Sequence, residues 1–99
     1  MVSQVFVDDI GINLVYTAGK ALYRWSEIAN VSVQAWLLPP DNQRLVELDI
    51  SHVSGEFVTT NELFEGFYEA VAAIAAQAGA RLPDLSTLDP SDGVVQIYP

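Results

Sequence analysis

The stretch Arg44–Ala78, RLVELDISHVSGEFVTTNELFEGFYEAVAAIAAQA, decides the fold. Over residues 44–52 the side chains alternate, with Val46, Leu48 and Ile50 on one side and Glu47, Asp49 and Ser51 on the other. That is the period-two pattern of a half-buried strand. Ser54-Gly55 turns the chain, and residues 56–60, EFVTT, pair back as a hairpin. The period then changes. Phe67, Val71, Ile74 and Ala78 recur at spacings of four, three and four, one apolar stripe of an amphipathic helix. The helix is expected over 61–78, with Thr59, Thr60 and Asn61 as competing caps and Leu63 or Phe64 extending the stripe. Gly79 is the expected stop, with Pro83 soon after.

On the N-terminal side, residues 4–8, QVFVD, alternate as a strand and Asp9-Ile10-Gly11 reads as a turn. Residues 12–17 and 21–25 form a hairpin about Ala18-Gly19-Lys20, and Ser26-Glu27 bends the chain. Residues 28–38, IANVSVQAWLL, make the longest strand. Val31, Val33, Ala35 and Leu37 share one face, and Ser32, Gln34 and Trp36 share the other. Pro39-Pro40-Asp41-Asn42 cannot continue a strand and forms the main loop. On the C-terminal side, 83–93 is a loop, ordered or half-ordered. Residues 94–98, VVQIY, form a short tail strand that docks on its own sheet or on another chain's edge. The expectation is one domain over 1–99, with sheet over 1–60, helix over 61–78 and tail over 79–99. Its class is α+β: a strongly bent antiparallel sheet or incomplete barrel of about six strands, capped by one C-terminal amphipathic helix.

Trp25-Ser26-Glu27-Ile28, the Leu48/Ile50 strand, the Gly55 turn and the helix entry Glu62-Leu63-Phe64-Glu65-Gly66-Phe67 carry a further signal. Over about residues 5–78 the chain resembles small acidic bacterial proteins with a pleckstrin-homology-like fold. Among such proteins are uncharacterised members and immunity proteins that neutralise a cognate toxin by binding it. The resemblance therefore implies a binding protein. Phosphoinositide-binding relatives use a basic early loop, whereas this chain has Asp8-Asp9 in one early turn and only Lys20 in the next. Lipid binding is not expected.

Charge points the same way. Thirteen acids face four bases, Lys20, Arg24, Arg44 and Arg81, for a net charge of −9. That field repels nucleic-acid phosphates and anionic headgroups and speeds encounter with a basic protein. The expected partner is a basic protein, with no nucleic acid and no membrane. With 51% hydrophobic residues in 99, a chain of this size buries about 65% of its unfolded surface. It contains no cysteine, so disulfides and thiolate chemistry are excluded. MVSQVFVDDI has no basic segment or long apolar run of a signal peptide, and 70–80 is too short to span a bilayer. A cytoplasmic protein is expected.

No catalytic, cofactor or metal residues are expected. His52 is the single histidine; it follows Ser51 and is near Ser54, but neighbours on one strand face opposite ways, and a triad also needs a third residue to orient the base. Glu47 and Asp49 lie two apart on one strand face, about 7 Å between Cβ atoms, within the range of paired glycosidase carboxylates. A chain this small leaves little room for the required cleft. Asp89-Pro90-Ser91-Asp92-Gly93 lacks the acid spacing of a calcium loop.

The expected partner-binding residues are Trp36, Glu47 and Asp49 on the polar sheet face, with Glu62, Glu65 and Glu69 on the helix. An aromatic anchor ringed by acids suits stoichiometric binding of a basic protein. The functional expectation is an immunity-type inhibitor. The alternative is a structural module that self-associates, as a homodimer, through the tail strand or a sheet edge.

Overall fold

The computed structural model describes residues 3–99. Three short strands, β1 (Gln4–Val7), β2 (Gly11–Tyr16) and β3 (Gly19–Arg24), form one antiparallel sheet in the order β1-β2-β3. A single 3-10 turn, Trp25–Glu27, leads into β4 (Ile28–Leu38). The second sheet contains β4, β5 (Gln43–His52), β6 (Phe57–Asn61) and β7 (Val95–Tyr98), in the order β6-β5-β4-β7. The helix α1 (Phe67–Ala78) follows β6. The class is α+β as expected: among the described residues, six strands precede the helix and a tail strand follows it, in two sheets rather than a closed barrel.

The core lies where the alternation places it. Val31, Val33 and Ala35 from β4, Val46, Leu48 and Ile50 from β5, and Ile97 from β7 turn inward. They meet Val5, Ile12 and Leu14 of the first sheet and Phe67, Ala70, Val71, Ile74 and Ala75 of α1. Leu37, expected in this set, is 51% exposed because β4 runs past the end of the core there. At the corner between the sheets Ile28 is buried, and the Trp25 ring packs against Tyr98 at 5.3 Å.

The first hairpin turns at Thr17-Ala18, with Tyr16 opposite Gly19, one position before the expected turn. The helix begins at Phe67 rather than 61. Thr59, Thr60 and Asn61 belong to β6, and the Asn61 side chain accepts from the Leu63 amide in a local turn instead of capping a helix. Glu65 then pairs with β1: the Val5 amide donates to the Glu65 carbonyl, and the Glu65 amide to Ser3, both at 2.9 Å. Gly66 follows at φ +80, a left-handed conformation that stops a helix from starting earlier. A Cβ at Gly66 would stand 2.6 Å from the Val5 carbonyl oxygen, so the chain passes the sheet at backbone contact distance. As a result Leu63 is exposed, while Phe64 packs on the core against Tyr16. Gly79, at φ +66, ends the helix as expected.

The tail is ordered. Leu85 and Leu88 are buried, and the Arg44 guanidinium donates to both of their carbonyls, at 2.8 and 3.0 Å. Asp89 caps a 3-10 turn over Pro90–Asp92 by accepting from the Ser91 amide. The β7 strand then lies antiparallel to β4 of its own chain, with Val33 opposite Val95 and Val31 opposite Tyr98.

Candidate functional site

The inward alternation of the second sheet leaves its other face to Ser32, Gln34 and Trp36 of β4, Glu47 and Asp49 of β5, and Thr59 and Asn61 of β6. Gln34 lies opposite Glu47, Ser32 opposite Asp49, and Trp36 opposite Leu45. This register brings three of the six expected binding residues together. The Trp36 indole Nε1–H donates to Glu47 Oε2 at 3.0 Å. The Gln34 amide Nε2 donates to Asp49 Oδ2 at 2.9 Å and to Glu47 Oε2 at 3.3 Å. Trp36 is 47% exposed, so it does not fold under the Pro39-Pro40 loop or the tail. Its orientation is set by the carboxylate while much of the ring faces solvent.

The two carboxylates are held close by a neutral donor. Partial burial raises the Asp49 pKa above its ordinary 3.8, and the neighbouring Glu47 charge raises it further, against the opposing Gln34 hydrogen bond. None of the four basic residues stands on this face: Lys20 and Arg24 lie in β3, Arg44 is turned onto the tail carbonyls, and Arg81 follows the helix. Among the described residues the face therefore presents an ordered aromatic ring, two close acids and no compensating cation.

The other three acids do not form one helical stripe, because the helix starts after two of them. Glu62 Oε1 accepts from the Val46 amide at 2.9 Å, and its Oε2 accepts from the Tyr68 hydroxyl. Glu62 thus ties the end of β6 to β5 and to α1. That hydrogen bond and burial raise the Tyr68 pKa. Glu65 serves the bridge to β1 through its backbone, with its side chain exposed. Glu69 alone lies on the helix, exposed, beside a groove of about 470 Å³ between α1 and β1.

A second groove, also about 470 Å³, is lined by Leu38, Arg44, Leu45, Glu62, Leu63 and Tyr68. Because Leu45 stands opposite Trp36, this groove adjoins the tryptophan side of the acidic face. Gln34 was legible in sequence as a face-mate of Trp36, but its bridging role needs the register. The groove had no sequence signal, since it joins β5 to residues that precede and begin the helix.

His52 closes the β5–β6 turn. Its Nδ1 lies 2.8 Å from Ser54 Oγ and accepts from the Ser54 amide at 3.0 Å, while Nε2 is 4.0 Å from Glu27 Oε2. The serine reaches the ring because it sits in the turn, beyond the strand in which alternation would point it away. The turn's own amide occupies Nδ1, the lone pair that a general base needs. Among the described residues no group of three His, Cys, Asp or Glu could hold a metal ion, and no helix is long and apolar enough to cross a membrane.

The family described as bacterial PH domain matches residues 3–85. No curated protein and no solved structure matches the chain.

Proposed function

The chain belongs to the bacterial PH domain family, and from that premise we propose that it is a non-enzymatic binding module whose partner is a protein with a basic surface. Within that class we favour an inhibitor of the immunity type, which neutralises a basic toxin by stoichiometric binding. One observation carries the reading: Trp36 is half exposed yet held by Glu47, beside Asp49, on a sheet face with no cation among the described residues. An aromatic ring whose rotamer is already set loses little conformational freedom on binding. Acids around it steer a cationic partner and select against acidic ones.

The test uses the whole chain as bait for the products of neighbouring genes. A partner held by the wild type, weakened by rising salt, and lost with Trp36→Ala and with Glu47→Lys/Asp49→Lys supports the reading. A partner indifferent to salt and to all three changes removes it. Self-association through the tail strand is the weaker reading, because β7 already pairs with β4 of its own chain and would have to be exchanged.

A further inference from the structure

The two sheets have four edges, and they are protected unequally. The far side of β1 is bridged by Glu65. The β3 edge carries Lys20 and Arg24. The β7 edge is four residues long, runs into Pro99 and packs beside α1. The fourth edge, β6, reads FVTTN, with no lysine, arginine, proline or bulge. Natural sheets use those devices to block pairing with a further strand.

The hydrogen bonds show which groups β6 leaves open. The Glu62 amide donates to the Val46 carbonyl and the His52 amide to the Glu56 carbonyl, so the even-numbered residues of this segment face β5. Phe57 and Thr59 therefore turn their N–H and C=O groups outward, and among the described residues no strand lies beyond them. At Asn61 the turn takes over, its carbonyl accepting from Phe64.

We infer that β6 is a docking edge for an extended, lysine- or arginine-bearing segment of a protein partner, which adds antiparallel to Phe57–Thr59 as a fifth strand. The occupant's charge follows from the neighbouring strand. Thr59 lies opposite Asp49 and Asn61 opposite Glu47 on the same outer face. An added strand would sit about 10 Å from β5, two strand spacings away. A lysine or arginine side chain spans that gap across the short Thr59 and reaches the carboxylates. Phe57, 71% exposed, receives the alkyl stems of such residues at the end of the edge. A second copy of this chain would instead add its own FVTTN strand, which brings no cation to those carboxylates. The inference rests on the acidic-face reading above and adds the mode of binding, strand addition.

The test uses the full chain, labelled for amide exchange, and an eight-residue capped peptide of alternating lysine and valine. The peptide is expected to slow exchange at Phe57 and Thr59 by about tenfold or more, leaving Val58 and Thr60 unchanged. A glutamate–valine peptide is expected to do neither. Thr59→Pro removes one outward N–H without touching a bond to β5, and should weaken the lysine–valine peptide about tenfold. Thr59→Lys, which keeps the backbone, should do the same if the proline variant does not fold. Binding that perturbs Trp36 but not the Phe57 and Thr59 amides overturns strand addition and leaves the acidic-face reading standing. Equal protection by the glutamate peptide overturns the choice of occupant. Protection that grows with protein concentration alone also overturns it, assigning the edge to a second copy.

Discussion

Gln34 and Asp49 meet across β4 and β5, the amide Nε2 donating to Oδ2 at 2.9 Å. The same nitrogen lies 3.3 Å from Glu47 Oε2. One neutral side chain thus holds two carboxylates on a face where they repel each other. The face is ordered, but its charge opposes folding.

The pKa of Asp49 is raised in the folded state by burial and by Glu47. Between the unfolded value, 3.8, and the higher folded value, the native state holds the proton more tightly. Stability therefore falls as pH rises through that window, and the deficit is complete above it. Asp49→Asn keeps an acceptor for Gln34 and removes the charge. The variant is expected to be more stable than wild type at pH 7, by up to about 1 kcal/mol. The gain should vanish below pH 3.8, which urea unfolding at pH 3 and pH 7 would show.

Trp36 should separate binding from stability. The ring is half exposed, so Trp36→Ala is expected to change stability by about 1 kcal/mol or less. Its removal from the centre of a contact should weaken a basic partner by about 2 kcal/mol, roughly thirtyfold. Trp36→Phe keeps the ring but loses the donation to Glu47, and should fall between. Thermal unfolding beside titration of a captured partner measures both.

Gly66 and Gly79 flank α1, both with positive φ. Gly79→Ala meets open space and should cost only the conformational strain, about 1–2 kcal/mol. Gly66→Ala adds a Cβ 2.6 Å from the Val5 carbonyl, which belongs to β1 and cannot swing away. About 1–3 kcal/mol more is expected for Gly66→Ala. Equal losses in chemical denaturation would place the cost in φ alone.

The tail should behave as part of the core. Ile97 is fully buried between β4 and α1, although it lies beyond the stretch matched by the family. Ile97→Ala is expected to cost about 3 kcal/mol, as much as Ile74→Ala in the helix. Arg44→Met removes the donor to the Leu85 and Leu88 carbonyls, and should speed amide exchange in β7 before it affects β2. A tail that could lose Ile97 without loss of stability would be an appendage.

The strands were legible wherever alternation met a buried face, as in Val31, Val33 and Ala35 or Val46, Leu48 and Ile50. The helix stripe was legible from Phe67 to Ile74 for the same reason. The helix start was not. Thr59, Thr60 and Asn61 are cap residues by type, and their pairing with β5, with Gly66 at positive φ and the bridge from Glu65 to β1, commits them to a strand and a turn. The same displacement broke up the acidic stripe: Glu62 became a bridge from β5 to Tyr68, leaving only Glu69 on the helix surface. Trp36, Glu47 and Asp49 could each be placed on one face by parity, but their hydrogen bonds depend on a register that parity does not set.

The pairing of β7 with β4 has a consequence for the order of events during synthesis. Val31 stands opposite Ile50 of β5, but its partner on the other side, Tyr98, must first leave the ribosome, and the chain between Val31 and Tyr98 forms a long loop whose closure is entropically unfavourable. The two early hairpins and α1 can assemble first, on contacts nearer in sequence. A nascent chain stalled so that β7 is still inside the exit tunnel should therefore expose the β4 edge to protease. The same chain released by a few more residues should close it.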